Sequence, residues 1–372
     1  MARTVVGLDI GGSGVRAAEF TVGRRARLRK FASVSLAEGV VKAGRVVDPE
    51  ALSDALKELW GQGKFGTKEV MIGLANDGVL VRQMDLEWMP PDDFRKGLRY
   101  QVADALPVPV DEANLDYYML DELELETGTD GEKRKVARVM LVAAGREMVD
   151  AFVRAAQSAG LRPLGVDLLP FALVRAVSPV VDGESPLEAI VDIGADTVAV
   201  VVHQGGRPRF VRTLAGHGGA AITAHLAEAY EWTWDEAERT KIVLGLPGHT
   251  RTELYGAAAA AGAAEVDPAE LEHHPAHEDI AAQVDALAAE LRATLDYFRS
   301  SAGNAEPLTR VLLTGRGALL AGLPEAIQRE VEVPVERFSV TDRVHTPRRL
   351  HLFDEQQSAL AVPAGLCLGA AS

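Results

Sequence analysis

Val5-Val6-Gly7-Leu8-Asp9-Ile10-Gly11-Gly12-Ser13-Gly14-Val15-Arg16-Ala17-Ala18-Glu19-Phe20 is an apolar run, one acid, a glycine turn and a second run. Asp9 sits where the first strand should end. Gly11, Gly12 and Gly14 take backbone angles that cost other residues, and they let amide N–H groups approach an anion closely. Ser13 adds a hydroxyl, and Arg16 adds a positive charge just past the turn. This set suits a phosphate, with Asp9 placed to hold a magnesium ion through water. Gly12-x-Gly14-x-x-Ala17 also meets the dinucleotide-binding spacing, but that fingerprint needs a helix directly after the glycines. Here residues 21–25 read as a hairpin turn and residues 28–36 as another extended segment. An ordinary glycine turn is the plain reading of the stretch taken alone.

Half a chain later, Ala189-Ile190-Val191-Asp192-Ile193-Gly194-Ala195-Asp196-Thr197-Val198 repeats the pattern. Gln204-Gly205-Gly206-Arg207 is again a hairpin turn, and a third strand follows at 209–214. Two Asp-Ile-Gly hairpins in two halves predict a duplicated fold with two phosphate loops facing each other. A third piece, Arg310-Val311-Leu312-Leu313-Thr314-Gly315-Arg316-Gly317-Ala318, is a buried strand that runs into a glycine loop and a helix.

The 372 residues are enough for about two domains. An apolar share of 47% with 25% charged residues is ordinary for a globular chain. A formal net charge of −15 argues against a nucleic-acid partner, because phosphate backbones attract basic surfaces. The single cysteine, Cys367, can form neither an internal disulfide nor a cysteine-cluster zinc site. No signal peptide is expected, since the first residues run straight into a strand. The longest late apolar run, 359–371, is too short to span a bilayer.

Along the chain, Asp48-Pro49-Glu50 is a helix start, with Asp as N-cap and Pro at the first helical position. Leu52, Leu56 and Leu59 make its stripe, and a buried strand follows at 69–74. Residues 78–161 read as an inserted unit of strand, helix (92–105), long hairpin (115–126 and 134–144) and helix (147–158). Val149, Phe152, Val153 and Ala156 should point inward on that last helix, and Gly160 follows its end. From Gln101 to Glu132 inclusive there are ten acids and no Lys or Arg. This face is either solvated or a docking surface for a basic partner. Thr233 and Glu236 form a capping-box pattern that opens a helix over 234–244. Glu238 and Lys241, three apart on it, share a face; by themselves they read as an exposed ion pair. Residues 255–279, with His273, His274 and His277, read as a loop without the scaffold a metal site needs. Residues 280–300 form the clearest helix. Residues 354–368 read as a closing helix that Pro363 kinks or shortens.

The three loops, with the helix carrying Glu238 and Lys241, resemble the actin-like ATPases, and within them the PilM and FtsA families. The resemblance covers nearly the whole chain in order. It implies an α/β actin-like fold, two lobes around a nucleotide cleft, and the inserted subdomain that PilM and FtsA have at this point. The boundaries it implies are 1–77 with 162–186 for the first lobe and 78–161 for the insert. The second lobe then takes 187–240 with 304–372, and a smaller subdomain takes 241–303. ATP and Mg2+ are the implied ligands. Asp9 and Asp192 would hold the ion, mostly through water. Gly11, Gly12, Ser13, Gly14 and Arg16 would cradle phosphates with Gly194, Ala195, Asp196 and Thr197. Glu238 and Lys241 would contact ribose and adenine, and the loop of Gly315, Arg316, Gly317 and Ala318 would approach the adenosine.

Three positions depart from the family pattern. Arg16 stands where Lys is usual, which keeps the charge and changes the geometry. Arg316 interrupts a run of glycines and either stacks on adenine or obstructs it. Asp196 adds a negative charge that repels phosphate unless magnesium or Arg16 offsets it. The expectation is ATP binding with weak hydrolysis at most, since no residue reads as a base that orients the attacking water.

The resemblance implies a cytoplasmic adaptor of type IV pilus assembly at the inner face of the cytoplasmic membrane. It would bind the N-terminal cytoplasmic tail of the membrane subunit PilN in a groove at the insert, work beside other pilus assembly proteins, and leave the oligomeric state open. Direct membrane insertion is not expected. The alternatives are a sugar-type kinase and an FtsA-like cell-division filament protein. Sugar kinases with a similar first loop carry a zinc-binding cysteine cluster, which Cys367 alone cannot provide. FtsA carries a basic C-terminal amphipathic helix, and this sequence has no Lys or Arg after Arg349.

Overall fold

A computed structural model describes residues 3–23, 26–127, 132–178, 180–181, 183–251, 271–301, 306–347, 350 and 352–370. The first glycine stretch folds as strand–turn–strand, which removes the dinucleotide reading. β1 (Arg3–Gly11) and β2 (Gly14–Val22) pair antiparallel, with Gly11 opposite Gly14 and Asp9 opposite Arg16. β3 (Arg27–Ser35) continues the meander. A short hairpin follows, β4 (Val41–Lys42) with β5 (Arg45–Val46). α1 (Pro49–Gly63) starts at its predicted cap, where Asp48 accepts from the N–H groups of Glu50 and Ala51. Leu52, Leu56 and Leu59 are fully buried. β6 (Glu69–Leu74) then joins β1 in parallel.

The inserted segment is β7 (Leu80–Glu87), α2 (Pro91–Gln101), β8 (Ala113–Thr127), β9 (Glu132–Gly145) and α3 (Arg146–Ser158). β9 lies between β7 and β8 in a three-stranded antiparallel sheet. Phe94 and Leu98 of α2 close a small core of their own with Leu86, Val139 and Leu141. α3 does not join that core. Its Phe152, Ala155 and Ala156 pack with Leu52 and Leu56 of α1, whereas Val149 and Val153 are only partly buried. β10 (Arg162–Leu168) completes the first sheet, in the order β10-β6-β1-β2-β3, and α4 (Leu169–Val177) follows.

The second half repeats this plan. β11 (Leu187–Ile193), β12 (Thr197–Gln204) and β13 (Arg207–Ala215) form an antiparallel meander. Next come α5 (Gly219–Tyr230), α6 (Trp234–Leu244) and α7 (Ala276–Ser301). β14 (Leu308–Thr314) pairs parallel with β11, α8 (Leu323–Val331) follows, and β15 (Val335–Arg337) pairs parallel with β14. The order β13-β12-β11-β14-β15 therefore matches that of the first sheet strand for strand. The chain closes with α9 (Asp354–Ser358) and α10 (Ala361–Gly369).

Two helices sit between the sheets. Leu173 of α4 and Leu366 of α10 share one core with Val5 and Phe20 of the first sheet and with Ile190, Val201 and Leu312 of the second. Two readings are corrected. Part of the loop expected over 255–279 is helical, because α7 begins at Ala276; residues 252–270 lie outside the described residues. His277 is buried there, against the carbonyls of Gly245 and Leu271. The closing helix also breaks at Ala359–Leu360, ahead of Pro363. Pro363 thus falls in the first turn of α10, where its missing N–H leaves no bond unmade.

Candidate functional site

The two Asp-Ile-Gly turns lie at equivalent ends of the two sheets, since each Asp closes the central strand that pairs with its meander and with a parallel neighbour. In the first lobe the hairpin register sets Asp9 against Arg16. Arg16 Nη1 donates to Asp9 Oδ2 at 3.2 Å, and Nη2 donates to Ser13 Oγ at 3.2 Å. In the second lobe the residue level with Asp192 on β14 is Thr314, whose hydroxyl donates to Asp192 Oδ1 at 2.6 Å. Thr314 was not singled out from the sequence. It ends the apolar strand just before Gly315, and that was the available signal.

Asp9 and Asp192 are both 9% exposed. Burial pushes the Asp9 carboxyl up, against the pull of Arg16. Burial raises Asp192 to about 6; the Thr314 hydroxyl opposes the rise, the Asp9 charge adds to it, and Arg16 opposes it. The two carboxyls are therefore electrostatic neighbours across the gap between the lobes. A pair of buried acids sharing one guanidinium is short of positive charge, and such a site favours a cation.

Ser13, Gly14 and Arg16 line a cavity of about 150 Å3 together with Ser33, Ser35 and Arg316. First-loop and third-loop residues thus converge on one space. Arg316 also pairs with Glu355 of α9 at 3.7 Å. The cavity is smaller than the roughly 300–1,000 Å3 usual for a small-molecule pocket.

The glycines of the third loop are set by packing. Gly315 has φ +82, and Cβ atoms built on Gly315 and Gly317 would stand 2.5 Å from Ile193 O and 2.4 Å from Ile193 Cγ2. The absent side chains let this loop lie flat on Ile193 at the end of β11. Ala318 is buried in the second-lobe core, so its side chain does not face the gap.

The second loop is tied to α5. Gly194 N–H donates to Thr197 O at 3.0 Å, and the N–H groups of Gly219 and Ala220 donate to the carbonyls of Gly194 and Ala195. Gly218 is a residue the sequence reading missed, although the run Gly216-His217-Gly218-Gly219 was visible. A Cβ on Gly218 would stand 2.0 Å from Ala195 O. Lys241 and Glu238 join the same assembly. Lys241 Nζ donates to Gly219 O at 2.9 Å, to Thr223 Oγ1 at 2.8 Å and to Glu238 Oε2 at 2.6 Å. Lys241 is buried and Glu238 partly exposed, so the pair is not the surface contact its spacing alone suggested. Burial draws the Lys241 pKa down, Glu238 holds it up, and the charge of Arg316 lowers it further. Asp196 points the other way, to the first lobe. Its burial raises its pKa, which the Ala43 N–H and the Lys42 charge oppose. Among the described residues no group of three or more His, Cys, Asp or Glu side chains is placed to hold a metal ion.

The sequence profile described as type IV pilus assembly protein PilM matches residues 7–269. The profile of cell division protein FtsA matches residues 189–361. Among solved structures, the chain is similar over its whole length, and the whole length of the other chain, to one from a PilM-PilN type IV pilus biogenesis complex, at 24% identity and TM-score 0.79. It is also similar to ethanolamine utilization protein EutJ from Carboxydothermus hydrogenoformans, at 16% identity and TM-score 0.54, covering 99% of this chain and 90% of that one. No curated protein matches.

Proposed function

This chain belongs to the PilM family of type IV pilus assembly proteins and has the actin-like ATPase fold; from that premise we propose that it is a nucleotide-binding adaptor whose insert takes the N-terminal tail of PilN. The observation that carries the nucleotide part is that Arg16 lines one cavity with Ser13 and Arg316, bonds to Asp9, and lies close enough to Asp192 for its charge and that of Asp9 to act on the Asp192 carboxyl.

The donor set fits magnesium bound with a nucleotide. Magnesium is ordinarily held by one or two carboxylates plus phosphate oxygens and water, and two buried acids are what the lobes offer. Asp9 and Asp192 would hold it, and it would neutralise phosphate charge. The residues of this chain do the rest. Arg16 orients Asp9 and reaches Ser13. Thr314 fixes the rotamer of Asp192. Lys241, Glu238 and Thr223 brace the start of α5 against the second loop, for the sugar and base. No side chain here is assigned as a base for water, so hydrolysis is weak or absent.

In this reading the first lobe takes 1–77 and 162–186, the insert 78–161, and the second lobe 187–240 with 304–372, leaving 241–303 as its smaller subdomain. The acidic insert hairpin gives a basic peptide tail its electrostatic attraction. Among the described residues no helix is long and apolar enough to cross a membrane. The adaptor would be held at the inner face of the cytoplasmic membrane through its partner. Calorimetric titration with the PilN tail peptide, with and without magnesium-ATP, tests the proposal. Saturable binding that shifts with nucleotide is expected. Peptide binding that ignores ATP removes the nucleotide coupling, and no peptide binding removes the adaptor.

A further inference from the structure

Asp196 is the one acid of the phosphate loops that bridges the lobes. Its backbone is pinned in the second lobe, where its carbonyl accepts the Gly216 N–H at 2.9 Å. Its side chain crosses to the first. A Cβ built on Gly12 would stand 2.1 Å from Asp196 Oδ2 and 3.1 Å from Oδ1, so the carboxylate lies directly on the first phosphate loop. The Ala43 backbone N–H faces the same carboxylate and, with the Lys42 charge, favours its ionised form, while the Glu38 charge opposes it.

The donor at Ala43 is built with care. Ala43 has φ +48 and Gly44 φ +68, at the tip of the β4–β5 hairpin. A left-handed alanine is uncommon and persists when its surroundings hold it. Asn76, 1% exposed, supplies the hold: its Nδ2 donates to Ala43 O at 2.5 Å, and its Oδ1 accepts the Gly78 N–H at 2.7 Å. A Cβ on Gly44 would stand 2.0 Å from Ala75 O, so the turn is seated hard against the same segment. A backbone N–H aimed by a buried amide, a glycine loop without side chains and a nearby lysine together make a seat for an anion. In this structure the anion seated there is the protein's own carboxylate.

We propose that Asp196 is an internal competitor for phosphate: it occupies the anion seat formed by Gly12 and the Ala43 N–H, and a nucleotide phosphate must displace it, which releases the cross-lobe contact. This rests on the nucleotide reading of the cleft and adds its regulation. Displacement and lobe separation are then one event, because the seat belongs to the first lobe and Asp196 to the second.

The test is titration of the full chain with magnesium-ATP, and separately with inorganic phosphate, for the parent, Asp196→Ala and Asp196→Asn, with thermal melts to confirm that each is folded. Asp196→Asn keeps the size and can still accept from Ala43, but it carries no charge. The expected result is ATP binding at least about tenfold tighter in both variants, equivalent to about 1.4 kcal/mol, with phosphate binding gained in Asp196→Ala. If the parent binds ATP and both variants bind it equally or more weakly, Asp196 is not a competitor, although the nucleotide reading stands. If neither the parent nor the variants bind ATP, the nucleotide reading fails and this inference fails with it. If Asp196→Ala alone proves unfolded, Asp196→Asn decides by the same criterion.

Discussion

Asp192 ties protonation to folding. Its folded pKa of about 6 lies above the ordinary carboxylate value of 3.8 because burial strips water from the charged form. Between about pH 4 and 6 the folded state thus binds more protons than the unfolded one, and stability falls as pH rises through that window. Asp192→Asn removes the penalty while still accepting from Thr314. Without magnesium it should match the parent near pH 4 and exceed it at pH 8 by on the order of 3 kcal/mol, at about 1.4 kcal/mol per pH unit. Melting curves across pH check this, and a gap that does not change with pH would sink it. Cys367 makes the second residue-scale case. It is fully buried on α10, bonded to the carbonyls of Val5 and Ala18, and burial pushes its thiol up to about 12. The thiolate is the reactive form. The native chain should therefore resist iodoacetamide at pH 8 and label fully in denaturant; rapid native labelling would contradict the packing of α10.

At the scale of elements, caps and stripes were readable and tertiary bonds were not. The N-cap Asp48 and the capping box of Thr233 with Glu236 form as their sequences dictate, because both are local. Thr233→Ala should lower stability by about 1 kcal/mol in urea unfolding. It should also loosen the helix that carries Glu238 and Lys241, so nucleotide affinity would fall with it. The long helix α7 was legible from Ile280, Val284, Leu287, Leu291, Leu295 and Phe298, all buried. Its first turn was not, because the residues there carry no apolar stripe. That turn is held by the His274 ring accepting from the Ala276 N–H, and by His277 against Gly245 and Leu271, two segments far apart in sequence from one another. The break before Pro363 was hidden for a similar reason. Pro363 is compatible with a first turn, and the close fit of α10 on α4 decides where that turn starts.

At the scale of the whole molecule, the two lobes are joined through α4 and α10. A Cβ built on Gly365 would stand 1.8 Å from Ala172 O, and one on Gly7 would stand 2.1 Å from Pro363 O. Backbone atoms cannot move aside as a flexible side chain does. Gly365→Ala should therefore destabilise the chain by about 1–3 kcal/mol or more, measured as a lowered melting temperature, and a neutral substitution would mean that α10 does not seat on α4 this way. What the sequence by itself determined was everything set by neighbours along the chain. The two Asp-Ile-Gly hairpins, the duplication of the sheet, the helix caps and the strands of the small three-stranded sheet follow from local pattern and glycine placement. What only the tertiary structure decided was who meets whom across the gap. Thr314 beside Asp192, Lys241 drawn under Gly219, Gly315 and Gly317 flat on Ile193, and Asp196 seated on Gly12 and Ala43 all join residues distant in sequence. Their contacts depend on how two sheets close over α4 and α10, and no local propensity encodes that closure.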